Sequence, residues 1–258
     1  APSVGEGAGG PRPADGGTVA GRAGHRGTVL QQLLRERGMS AFEEVRALLT
    51  SEEVDVTVKE CGDLYLLMYK AASTRTFGPQ SGRQTLAQKV VDHCRGCIYE
   101  KGSNEVVAWP FDKFWEVEHR CSAAAVLDWA SAVASEKSDG CIVKLYHHRG
   151  MWRLASNSMI DATDATLPTA TRPATIAELF AEAAAAEGLG VATLDTVLTR
   201  GRTYVFELIH PVNRVVVFPA GPSLVHLLTR DNTTGREVPD DTVGVPQPRV
   251  IIPAGRCT

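Results

Sequence analysis

Residues 141–156, CIVKLYHHRGMWRLAS, constrain the fold more than any other stretch, because two apolar runs of strand length turn on His148-Arg149-Gly150. Runs this short, bounded by turn formers, read as paired strands. The arrangement recurs. CIYE and EVVAWP turn through Lys101-Gly102-Ser103-Asn104, and LYLLMYK closes a partly alternating stretch over 54–69 as a buried strand. TYVFELI and RVVVFP flank His210-Pro211-Val212-Asn213, and LVHLLTRD follows as another strand. Strands joined by turns of a few residues pair antiparallel, since a parallel pair needs a long crossover. Helices are expected around them. Ser40 is placed to cap one reaching about Leu49, with Glu43 at capping-box spacing, and an Ala-rich helix is expected over 122–134. ATIAELFAEAAAAE at 174–187 is the clearest helix, closed by Gly188 or Gly190. The fold class is α+β, with mostly antiparallel sheets and flanking helices.

At 258 residues, 43% of them hydrophobic, the chain can bury a substantial core. A net charge of −3 gives no global attraction to nucleic acid or membrane, so any anion-binding surface must be local. No apolar run is long enough to span a bilayer. Residues 1–27 are almost free of large apolar side chains and read as a disordered tail. They begin at Ala1 rather than Met, as expected of a start trimmed, processed or not included, and Glu6 and Asp15 leave only a faint likeness to a transit peptide. One domain is expected over 28–235, followed by an irregular tail over 236–258. The six cysteines are scattered, which suits reduced thiols in an intracellular compartment, cytoplasm or organelle. Cys94-Arg-Gly-Cys97 lacks the second ligand pair that a structural zinc site requires.

Two charged residues break the apolar pattern. Lys137 stands just ahead of Asp139-Gly140, a common hairpin turn, and directly before the strand CIVKLYHH. It reads either as a charged turn flank or as a nucleophile held by the turn. Glu207 lies inside YVFELI, where a carboxylate either faces outward or needs a cation or metal partner.

Three segments, in order along the chain, resemble one family. CRGCIYEKGSNEVVAWPFDKFW (94–115) is similar to an RG…PF.KFF segment, Lys137-Ser138-Asp139-Gly140 to a K-x-D-G nucleophile motif, and FELIHPVNRVVV (206–217) to a third motif carrying a Phe-Glu pair. Together they resemble the covalent nucleotidyltransferase superfamily, and within it the ATP-dependent RNA ligases of the T4 RNA ligase 1 type. The resemblance covers roughly residues 60–230. DNA ligases and capping enzymes usually carry an Arg where Ile142 stands, which favours the RNA ligase branch.

The resemblance implies a nucleotidyltransferase (ATP-grasp-like) domain lacking its last strands. It implies a ligase that forms a covalent lysyl-AMP and seals RNA ends in RNA repair or processing. Its cofactors would be ATP and Mg²⁺, and its partners RNA ends, with no membrane. By the same resemblance Lys137 is the nucleophile, and Glu207 is a second catalytic residue that binds the ribose or a metal-bound water. Arg95 and Lys113 clamp the leaving pyrophosphate, while Asp139 and Gly140 hold the amine and admit the nucleotide. Tyr69 either orients the phosphate end or is a plain core tyrosine, and Phe218 either lines the adenine pocket or packs the core. Lys144, on the nucleophile strand, is expected to be dispensable for labelling. The chain departs from the family at Asn157, where a basic residue is common, and in lacking E-G-hydrophobic-Val and K-x-K motifs; residues 237–258 contain no lysine. These departures suggest a chain cut before those motifs or a protein that lacks them. In the second case it would be a catalytically impaired relative that binds RNA or a protein partner.

Overall fold

The computed structural model describes residues 27–77, 84–118, 127–166, 172–239 and 243–255. The expected disordered tail falls outside these residues, apart from Gly27. Two four-stranded antiparallel sheets dominate. Sheet one has the order β1-β2-β3-β4, from β1 (Val56–Cys61), β2 (Leu64–Tyr69), β3 (Arg95–Glu100) and β4 (Val106–Ala108). Sheet two has the order β7-β6-β8-β9. Its strands are β6 (Cys141–His148), β7 (Met151–Ser156), β8 (Arg202–Ile209) and β9 (Ser223–Asp231). A two-stranded ribbon joins β5 (Ala134–Ser135) to β10 (Val250–Ile252).

The layers follow from strand alternation. On the outer face of sheet one, Tyr65 and Leu67 pack with Leu30 and Leu34 of α1 (Val29–Arg37), Val45 and Leu49 of α2 (Phe42–Thr50) and Val90 of α4 (Leu86–Val90). Between α2 and α4 the chain forms α3 (Ala71–Phe77). On the outer face of sheet two, Val143, Leu145, Tyr204 and Phe206 pack on Leu179, Phe180 and Ala183 of α5 (Ile176–Ala186) and Leu194 of α6 (Leu194–Val197). The two inner faces meet through Leu64, Leu66, Ile98 and Ala108 against Tyr146, Ala155 and Ile160. The order is helices, sheet one, sheet two, helices: an α+β architecture with three apolar clusters. No helix among the described residues is long and apolar enough to cross a membrane.

Several local expectations change. The stretch 54–69 is a hairpin of two strands, β1 and β2, rather than one. Helix α2 starts on Ala41, which makes no side-chain cap, so Ser40 does not close a capping box. Of the helix expected over 122–134, residues 122–126 lie outside the described residues and the rest is turn followed by β5. The RVVVFP run forms no strand. Val215 to Phe218 are exposed, and the Val216 and Val217 backbone donors go to a carboxylate instead of a ladder (below). The stretch from 236 is not wholly irregular either: it carries β10, and Val243 and Val245 are buried in the sheet-two core.

Candidate active site

The turn before β6 is built around two acceptors. The Gly140 N–H donates to Glu207 Oε1 at 3.0 Å. The Val216 and Val217 N–H groups both donate to Asp139 Oδ2, at 2.8 and 2.6 Å. A β-carbon on Gly140 would run into the carbonyl oxygen of Leu208, so only glycine lets this turn lie flat on β8. Ile142 pairs with Glu207 in the β6–β8 ladder, which places Glu207 on the inner face of sheet two at the strand end next to the turn. Lys137 is exposed, and its charge acts on both Asp139 and Glu207. The Val217 and Val216 amides, helped by Lys137, hold the Asp139 carboxyl below the usual range. Glu207 moves the other way: burial raises it against the opposing pull of the Gly140 N–H, Lys137 and Arg95.

Sheet one supplies the facing wall through a β-bulge. Leu67 pairs with Cys97 but Met68 with Arg95, so Gly96, at φ +84°, is the extra residue. Unbulged alternation would put Arg95 on the outer face with Cys97 and Tyr99. The bulge turns it inward instead, within electrostatic reach of Glu207 and Tyr69. Its guanidinium lies 4.2 Å from the centre of the Phe114 ring and 5.8 Å from that of Phe111, contacts that fix a cation while leaving its donors available. Nη1 is buried with no hydrogen-bond partner among the described residues, and burial lowers the guanidinium from its ordinary range. Lys113 Nζ stands 5.0 Å from the Tyr69 ring and 4.2 Å from that of Trp115. Tyr69 therefore joins the two cations of this wall.

A part-buried network holds that wall against sheet two. Asp112 accepts from His93 Nδ1 at 2.8 Å and Trp109 Nε1 at 3.2 Å, and pairs with Arg230 Nη1 of β9 at 3.1 Å. Burial alone would push Asp112 up, but His93, Arg230 and Trp109 together hold it at about 2. The backbone of Lys113 is fixed as well, its N–H donating to the Asp92 carbonyl at 2.6 Å.

The structure thus brings Tyr69, Arg95, Lys113, Glu207, Gly140, Asp139 and Lys137 into one neighbourhood. Phe218 stands apart: it is 72% exposed, on the loop held by Asp139, and belongs to none of the three apolar clusters. Sequence reasoning missed the inward turn of Arg95, the Phe111–Phe114 shelf and Asp112. It also missed Lys144, which is fully buried on the inner face of β6. The available signal was a lysine inside an apolar strand, the same anomaly that singled out Glu207.

Other chemistry lies elsewhere. A cavity of 420 Å³ bounded by Gln31, Arg35, Glu105, His147 and Asn232 lies at the far end of β6 from Lys137. Asp63, Glu100 and His148 cluster at that end too, with Arg149 paired to both carboxylates. Cys94 and Cys97 are buried thiols raised by burial, Cys97 to about 12.

A family model described as RNA ligase, of the T4 RNA ligase 1 type, matches residues 93–243, more than half of the chain. The match contains Arg95, Lys113, Lys137, Asp139, Gly140, Glu207 and Phe218; Tyr69 precedes it. A protein of Autographa californica nuclear polyhedrosis virus assigned as a bifunctional polynucleotide kinase/RNA ligase is 26% identical over 155 residues, covering 57% of this chain and 22% of the viral protein. A solved archaeal ATP-dependent RNA ligase superposes with a TM-score of 0.46 at 12% identity, over 88% of this chain and 55% of that one. The chain spans about a fifth of the viral relative's length and about half of the archaeal one's.

Proposed function

The chain belongs to the RNA ligase family, and from that premise we propose that it is an ATP-dependent ligase that carries AMP on Lys137 and passes it on in the sealing of RNA ends. The observation that carries this reading is the convergence of Lys137 and Glu207 from sheet two with Arg95 from sheet one, around the Gly140–Glu207 hydrogen bond. In the first step the neutral Lys137 amine attacks the α-phosphorus of ATP. An N–P bond forms, the bond to the β-phosphate oxygen breaks, pyrophosphate leaves, and the amine proton passes to solvent.

The residues divide the work by wall. Arg95 is held by Phe114 yet keeps a buried N–H free, which suits a phosphate oxygen better than a protein acceptor. Lys113 extends the positive wall toward Tyr69. Asp139 pins the 214–218 loop beside the turn through one carboxylate oxygen, and Gly140 admits close approach. Glu207 spends one oxygen on Gly140, and among the described residues the other accepts no hydrogen bond. A single half-committed carboxylate beside substrate phosphates fits Mg²⁺, which when bound would neutralise phosphate charge.

The test is transfer of label from ATP carrying ³²P at the α-position, in Mg²⁺. The label should resist base, yield to acid as a phosphoramidate does, and vanish in Lys137→Ala. A domain that only binds RNA or a protein partner takes up no label. Label that persists in Lys137→Ala removes the nucleophile assignment.

A further inference from the structure

Lys144 has no counter-ion among the described residues. Its side chain is 0% exposed and points from β6 into the space between the sheets. The amine occupies the gap left at the bulge, 3.0 Å from where a β-carbon of Gly96 would lie, on the backbone that turns Arg95 inward. It donates to the Ser156 carbonyl at 2.5 Å, and no carboxylate pairs with it among the described residues.

The groups around it explain little. On β3 the Cys97 thiol, on the other face of sheet one, is the one group whose charge would favour the ammonium. On β8 the same face carries Thr203, Val205 and Glu207, with Glu207 already bonded to Gly140. Asp112, beyond Cys97, is saturated by His93, Trp109 and Arg230. On β7, Arg153 turns to Asp161, and Tyr146 of β6 donates to the Ile160 carbonyl. Burial accordingly draws the Lys144 amine down to about 7. As an ammonium it is costly here, and as an amine it packs no better than methionine would.

We propose that Lys144 is an internal counter-charge for the cleft, neutral in the free protein and protonated from solvent when a nucleoside triphosphate binds on the Arg95 wall. This rests on the reading of the cleft as a nucleotide site. The negative phosphates favour the ammonium through a weakly screening interior, and by linkage the ammonium tightens the phosphates. No covalent bond changes; one proton moves from water to Nζ. Nucleotide binding then draws on a third cation that never reaches the surface.

Calorimetric titration with α,β-methylene ATP and Mg²⁺ at pH 8, in buffers of different ionisation enthalpy, reads the proton directly. Wild type should take up close to one proton per ligand, and its affinity should fall by up to about tenfold per pH unit between pH 7 and 9. Lys144→Met should bind the analogue more weakly, with no proton uptake and a flat pH profile, while its Tm is no lower than that of wild type. Binding by wild type without proton uptake overturns this inference alone, and decides the matter even if the methionine variant does not fold. Equal uptake by both proteins overturns it too. If wild type does not bind the analogue at all, the nucleotide reading falls and this inference with it.

Discussion

Gly96 and Gly140 stand on opposite walls of the cleft, and each is a glycine for a different reason. Gly140 has no unusual dihedral; what it needs is the missing β-carbon, because the Leu208 carbonyl fills that space. Gly96 needs both, with φ at +84° and the Asn157 carbonyl and Lys144 amine closing on the empty position. The wall at Gly140 holds its residues by backbone hydrogen bonds to carboxylates, and its lysine stays exposed. The wall at Gly96 holds its cations by aromatic faces and burial. An exposed lysine thus faces preset positive charge, the division of labour expected of the proposed chemistry, in which positioning and electrostatics dominate.

The sharpest way to break this comparison is Gly140→Ala. The β-carbon must displace β8 backbone, so stability should fall by on the order of 3 kcal/mol in urea unfolding, and labelling of Lys137 should be lost with the Gly140–Glu207 bond. Gly96→Ala should cost about 2 kcal/mol, from positive φ and contact with the Asn157 carbonyl. Part of that loss should return in Gly96→Ala/Lys144→Met, because the methionine can withdraw from the new methyl. An additive double mutant would show that Lys144 does not fill the gap.

Glu207→Gln should separate function from stability. Burial raises the folded-state carboxyl above its unfolded value, so the wild type is favoured at acid pH and loses that advantage as pH rises through the folded value. The glutamine variant should therefore unfold later in urea than wild type at pH 8, match it near pH 4, and label poorly. Asp139→Ala has the smallest expected effect on stability. Exchange of the Val216 and Val217 amides should accelerate by about tenfold or more, since both lose their charged acceptor while the core beneath is untouched. Unchanged exchange would mean that the loop is held by something other than Asp139.

The strands were legible because alternation and turn residues agree on them, as in the β6–β7 hairpin, where the register falls where the apolar pattern puts it. Lys137 and Glu207 were legible as charges out of place. RVVVFP misled because a β-branched run is a statement about propensity, and Asp139, 77 residues distant, offers its backbone a better partner than any strand edge. The bulge was not legible at all. CRGCIYE reads as an unbroken strand entry, and which face Arg95 takes depends on two separate pairings with β2. Lys144 stood out in the same way as Glu207, as a charge inside an apolar strand, but its burial did not, since it depends on the gap at a glycine 48 residues earlier.

The ribbon of β5 and β10 sets the order of events when the chain is made. The stretch entering the Lys137 loop is tied down by the Arg249 carbonyl, which accepts from the Glu136 N–H at 2.8 Å, and by the Arg249 side chain on Glu136, across a separation of 113 residues. Contacts that distant form late, and a ribosome adding about 5–20 residues each second leaves the loop untethered for several seconds after Lys137 has emerged. Both sheets can assemble during that interval. The nascent chain would therefore hold a folded cleft before the Lys137 loop is fixed, and the loop would stay untethered until β10 arrives.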